Sequence, residues 1–214
     1  MPAIRLWYSP GACSFAPHVL LNELGLAFEP VRVPIREGAL QTEEFGRLNP
    51  KRRVPVLALD REVITELPAI ATALSLLAPE RHLMGRSLID QARAYEWMNW
   101  LSGTVHAQGF GCLWRPQRFS DDASVHDSIT AKGPKTIPDY LATIDAKLTA
   151  PHAVGDGFTA VDAFLLVFYR WGNVIGIDMP GTYANYARFA GALARRASVL
   201  KTLQAEGIRL EGAT

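Results

Sequence analysis

The sequence predicts a small α/β domain followed by an all-helical one, and three observations carry that expectation. Up to residue 82, short β-branched and aromatic runs alternate with helical segments. A junction bearing Pro79 and Gly85 follows. Beyond it the apolar repeats are helical, with no convincing strand. The expected boundaries are residues 1–82, a linker at 83–88 and a helical domain over 89–214.

Each element has its own reason. Ile4–Tyr8 (IRLWY) reads as a strand, and Ser14–Leu24 as a helix closed by Gly25, a usual helix-ending residue. Phe28–Val33 is a second strand, and the polar Gln41–Leu48 is weakly helical up to Asn49-Pro50. Val54–Leu59 and Glu62–Ile64 form a hairpin around Asp60-Arg61, and Ala69–Leu77 is helical. The order is β-α-β, then β-β-α. In the second part, Ser87–Ala107 predicts one long helix. Pro134–Leu148, Asp162–Gly176 and Ala184–Ala205 predict three more. Thr159-Ala160-Val161-Asp162 is a variant capping box, a structural motif, and the apolar helix behind it belongs in the core.

Composition narrows the function classes. The chain has 214 residues, 49% of them hydrophobic, and a formal net charge of +1 with no long block of one sign. That disfavours a nucleic-acid-binding surface. Two cysteines far apart make no disulfide framework, so a reducing cytoplasm is expected. MPAIRLWYSPG lacks the features of a secretory leader. The stretch Phe158–Ile177 carries Asp162 and Arg170, which suits a buried helix better than a membrane span. Cys112, with His106 and Trp114 nearby, lacks a second ligand pair; packing explains it and no metal is expected.

The turn Ser9-Pro10-Gly11-Ala12-Cys13-Ser14-Phe15 places Cys13 between a strand and a helix start. Unpaired N–H groups at a helix start favour a thiolate and can lower a thiol pKa. Ala16 stands where a second cysteine would be needed, so a CxxC dithiol mechanism is excluded. Taken without its context, Cys13 also suits a small buried residue at a tight turn.

The run LWYSPGACSFAPHVLLNELG resembles the N-terminus of bacterial beta-class glutathione S-transferases. Asn49–Leu57 (NPKRRVPVL), Thr65–Ile70 (TELPAI), Glu96–Trp100 (EWMNW), His106, Trp114-Arg115-Pro116 and Gly155–Ala163 continue the resemblance in order, and Gln204–Gly207 faintly so. It implies a thioredoxin-like domain before the helical one, glutathione as co-substrate, and a homodimer. It also implies a cis Val54–Pro55 bond, with the Val54 backbone pairing with the cysteinyl part of glutathione. Glu66 and the Leu67 N–H would take the γ-glutamyl end. Leu67 replaces the usual glycine or serine, so no hydroxyl is offered and its bulk would crowd the ligand. Asn99, Gly103 and His106 fall on one helix face, and the resemblance places Asn99 and His106 at the sulfur.

The implied catalytic residues are Cys13 and His106. The glutathione-binding set is Cys13, Val54, Pro55, Glu66, Leu67, Asn99 and His106. The activity implied is transfer of glutathione to small hydrophobic electrophiles. The aromatic cluster Trp97, Trp100, Phe110 and Trp114 is expected mostly in the core or an interface, with part of it walling an apolar pocket for the second substrate. Two rivals remain open: thiol–disulfide transfer or peroxide reduction through Cys13, and a non-enzymatic binding protein. Tyr8 is a lesser candidate for activating the thiol.

Overall fold

The computed structural model describes residues 2–211. In β1 (Ile4–Tyr8), Ile4, Leu6 and Tyr8 turn inward and Arg5 faces solvent, the period of two expected of a half-buried strand. β1 runs parallel to β2 (Glu29–Arg32) and antiparallel to β3 (Val56–Leu59), which folds back on β4 (Glu62–Thr65). The sheet order is therefore β2-β1-β3-β4. Leu6 pairs with Leu57, and both enter the core shared with α1 (Phe15–Leu24) and α3 (Leu67–Leu77). The alternate residue Val56 joins Val33, Leu40 and Phe45 of α2 (Glu43–Leu48) in a smaller cluster.

The helical part comprises α4 (Leu88–Trp100), a wide-turned π segment Leu101–Phe110, α5 (Gly111–Trp114), α6 (His126–Thr130), α7 (Gly133–Lys147), α8 (Ala160–Val174), α9 (Met179–Thr182), α10 (Ala184–Ala194) and α11 (Ala197–Glu206). α8 is buried on nearly every side and lies at the centre of this part, as its apolar sequence requires. α1 packs against both α8 and α11, and its residues Phe15–Leu21 are all buried. Gly25 ends α1 in the left-handed conformation. The junction is packed: Leu83 and Met84 are buried, and the Leu83 carbonyl accepts the Ala160 N–H at 2.8 Å.

Two helices differ from the sequence expectation. The one predicted over Ser87–Ala107 changes winding at Leu101, where the wider π turns begin. The one predicted over Ala184–Ala205 breaks at Arg196, which is extended (φ −70°, ψ 134°). That break lets the Arg196 guanidinium meet the Glu23 carboxylate at 2.6 and 2.7 Å and lie 4.4 Å above the Phe158 ring. A charge-assisted fork and a stacked ring together outweigh the helical bonds lost. Among the described residues no helix is long and apolar enough to cross a membrane.

Candidate functional site

The turn that carries Cys13 is held by its own backbone first. Ala12 N–H returns to the Ser9 carbonyl at 3.0 Å, and Ser14 Oγ accepts the Ser9 N–H at 3.0 Å. α1 opens only at Phe15, so Cys13 sits ahead of the first helical turn. Its thiol donates to the Val54 carbonyl at 3.6 Å. Burial pushes the Cys13 thiol up to about 11, with the Arg115 charge opposing. The lowered thiol pKa expected at a helix start is thus not realised: desolvation outweighs the helix terminus, and Cys13 is a neutral thiol at pH 7.

The helical part locks this turn from the other side. Gly11 (φ +70°) donates its N–H to Glu206 Oε2 at 2.9 Å, and Trp171 Nε1 donates to the Gly11 carbonyl at 2.8 Å. Glu206 Oε1 faces His18 Nδ1 of α1 at 2.9 Å. The Arg170 guanidinium lies over Gly11, 2.7 Å from where a Cβ would stand, so a side chain there would push the guanidinium aside, and the left-handed φ of position 11 favours glycine. None of Arg170, Trp171 and Glu206 is singled out by local sequence pattern, although Glu206 lies in the faintly matching QAEG run.

The Val54–Pro55 bond is cis, and the Val54 carbonyl already faces the Cys13 thiol. Glu66 is exposed, adopts φ +69°, stands at the N-terminal boundary of α3 without a side-chain bond to it, and forms an ion pair with Lys51 Nζ. The Lys51 ammonium also donates to Thr65 Oγ1 at 2.6 Å. Leu67 is 5% exposed and its side chain packs in the core with Ile70 and Leu74. Its bulk therefore points away from the surface and crowds nothing there, while its N–H, in the first turn of α3, has no partner inside the helix.

His106 lies in the π segment with its ring 5.1 Å from Trp171 and 6.5 Å from Phe168. Burial pulls the imidazole down to about 4, and the charges of Arg115, Arg118 and Arg53 add to this, so it is neutral at pH 7. Asn99 is exposed and does not line the cleft. The single-face expectation for Asn99, Gly103 and His106 assumed one α-helical period, and the π turns from Leu101 onward break that period between Asn99 and the other two. Tyr8 is buried against His18, with ring centroids 5.0 Å apart, and it too stays outside the cleft.

The result is an open cleft of about 770 Å³ between the two parts. Its floor is Ser9–Cys13, one wall is Val54 with the segment after β2, and the facing wall includes His106, Trp114, Arg115 and Trp171. Trp114 and Trp171 meet edge to face at 5.0 Å, so the facing wall is aromatic near the thiol. Of the aromatic group expected there, only Trp114 borders the cleft; Trp97 and Phe110 are buried. Cys112 is buried in α5.

Known proteins agree with this architecture. The model of the glutathione S-transferase N-terminal domain matches residues 11–76. Glutathione S-transferase GstA of Escherichia coli O157:H7 is 31% identical over 211 residues, covering 96% of this chain and all of that protein. A bacterial beta-class glutathione S-transferase of Sphingomonas chungbukensis superposes with a TM-score of 0.80 at 31% identity, over 96% of this chain and 100% of that one. A glutathione transferase homologue from Sulfitobacter, with bound glutathione, gives a TM-score of 0.91 at 26% identity, over 98% and 100% of the two chains. With a thiol turn, a cis-proline loop and a helical wall in the same order along the whole chain, this protein belongs to the glutathione S-transferase family, in its bacterial beta class.

Proposed function

We propose that this protein transfers glutathione to small electrophiles. The observation that carries this reading is the Cys13 thiol on the floor of a cleft, in contact with the Val54 carbonyl and faced by a helical wall with a cationic residue, Arg115. Glutathione lies extended on a domain formed by residues 1–82, and residues 89–214 supply the electrophile pocket. Its γ-glutamyl end sits at Glu66 and the Leu67 N–H, its cysteinyl backbone on Val54 beside Pro55, and its sulfur at Cys13 near His106. The Glu66 carboxylate exchanges part of its contact with Lys51 for the ligand ammonium. Asn99, exposed on α4, is left out of this arrangement.

The chemistry follows from the charges. The thiol proton of glutathione leaves to water, the Arg115 field and the Cys13 S–H steady the resulting thiolate, and the sulfur lone pair forms the C–S bond as the leaving group departs with its own pair. A neutral thiol is a donor and a poor nucleophile, which favours Cys13 as host of the glutathione sulfur over Cys13 as attacker. Cys13→Ala is therefore expected to keep conjugation of 1-chloro-2,4-dinitrobenzene within about tenfold, the worth of one hydrogen bond to a charged sulfur. A loss of a thousandfold would make Cys13 the attacking group and favour thiol transfer. No retention on immobilised glutathione would defeat both enzymatic readings and leave a binding protein. The Leu67 side chain, expected to crowd the γ-glutamyl end, is packed in the core.

The chain acts as a homodimer in the cytoplasm, in a detoxifying role. Leu76 of α3 and Leu88 and Ile89 of α4 are 74%, 81% and 66% exposed, with Tyr95 nearby at 39%, an apolar surface that a second copy would cover. Sedimentation should give twice the monomer mass, and Leu88→Glu with Ile89→Glu should shift the protein toward monomer. A wild-type monomer at micromolar concentration would refute this.

A further inference from the structure

The cleft has a charge that the composition conceals. Arg32, Arg36, Arg53, Arg115, Arg118 and Arg170 all line it, against two carboxylates, Glu37 and Glu206. Glu206 is already taken by the Gly11 N–H and His18. Arg170 gives its Nε–H to the Arg209 carbonyl and covers Gly11. The remaining wall arginines differ: among the described residues, Arg53, Arg115 and Arg118 enter no ion pair. Their charges reach one another, and those of Arg115 and Arg118 reach the Cys13 sulfur. Burial, then the charges of Arg115 and Arg53, push the Arg118 guanidinium down to about 10.

Like charges gathered around a reaction centre are unfavourable unless something negative joins them. Among the described residues these side chains brace no helix end and bridge no carboxylate, so no structural role accounts for them. The thiolate of glutathione supplies one negative charge beside Arg115, and its glycyl carboxylate supplies at most one more for the three guanidinium groups of Arg53, Arg115 and Arg118.

We propose that the second substrate of this cleft is an anion, an electrophile bearing a carboxylate or comparable oxyanion that Arg118 and Arg115 grip while Trp114 covers its apolar body. This rests on the transferase reading and narrows it from hydrophobic to acidic electrophiles. A guanidinium fork matches a carboxylate with two parallel hydrogen bonds, and the aromatic wall beside it suits a planar body. With an aryl chloride, the glutathione sulfur bonds the ring carbon, chloride leaves with the C–Cl pair, and the thiol proton passes to water. The glycyl carboxylate of glutathione is the other anion that could reach these arginines, but it is common to every electrophile and cancels in a ratio of rates.

The test compares 4-chloro-3,5-dinitrobenzoate with its methyl ester, each corrected for its uncatalysed rate with glutathione. Calorimetric binding of the unreactive 4-methyl-3,5-dinitrobenzoate and its ester runs alongside. Wild type should favour the acid over the ester in kcat/KM by roughly tenfold, the worth of a charge-assisted hydrogen bond. Arg118→Met should bring that ratio close to unity, and Arg118→Lys should restore part of it. Arg118 lines the cleft and belongs to neither core cluster, so its replacement leaves the core intact. An ester used as well as the acid, with the acid analogue binding no tighter, overturns the anion site. Tight acid binding lost in Arg118→Met, without turnover of either chloride, upholds the anion site and overturns the transferase reading.

Discussion

Asp162→Ala is expected to lower the unfolding midpoint by roughly 10 °C. The Asp162 side chain is fully buried at the start of α8. One carboxylate oxygen accepts the Thr159 N–H at 2.6 Å and the Thr159 hydroxyl at 3.2 Å. The other accepts the Ala153 N–H at 2.8 Å, tying the preceding loop to the helix. Removing the carboxylate strands these three donors, each costing about 1–3 kcal/mol, for a total of at least about 3 kcal/mol. Because α8 is the central helix of this part, its first turn also sets where Arg170 and Trp171 stand over the Gly11 turn. Asp162→Asn retains an acceptor and should lose about half as much. Calorimetric unfolding checks both, and a midpoint shift under about 3 °C for the alanine variant would contradict the assignment.

Glu206→Ala is expected to act on both stability and catalysis. Glu206 couples the C-terminal helix to the Cys13 turn: one oxygen holds Gly11 N–H, the other His18. Both side chains are nearly inaccessible, 3% for His18 and 0% for Glu206. Removing one member of such a buried pair typically costs about 3–5 kcal/mol, because the partner is left unsatisfied. The Gly11 N–H is orphaned at the same time, and Arg170 loses the carboxylate whose charge supports its own. We expect a drop in kcat/KM for conjugation of roughly tenfold to a hundredfold from the displaced thiol turn. Alkylation of Cys13 by iodoacetamide at fixed pH should accelerate as the turn opens. Glu206→Gln can still accept from Gly11 and should recover most of the rate. A lowered midpoint with unchanged alkylation and unchanged kcat/KM would reduce Glu206 to a structural anchor.

Local periodicity made most of the fold legible. β1, α1 with its Gly25 stop, the β3–β4 hairpin and α8 with its capping box follow from patterns a few residues long, and in the helices and the hairpin the hydrogen bonds are of that range too. The chain-long resemblance supplied the arrangement of the two parts and the residues around Cys13. Winding was less legible. The π turns of Leu101–Phe110 and the break at Arg196 depend on partners elsewhere, such as Glu23 for Arg196, and propensity over a window averages across them.

By itself, then, the sequence determined the order of the strands and of the longer helices, the thiol turn and the lack of a CxxC pair at it, all matters of near neighbours along the chain. Only the tertiary structure decided the state of the thiol, the direction of Leu67 and the charge of the cleft. Desolvation raises Cys13, core packing takes Leu67, and Glu206 reaches Gly11 across 195 residues of sequence. A net charge of +1 concealed six arginines around one cleft, because composition sums charge over the whole surface, whereas Coulomb energy depends on the distance between charges.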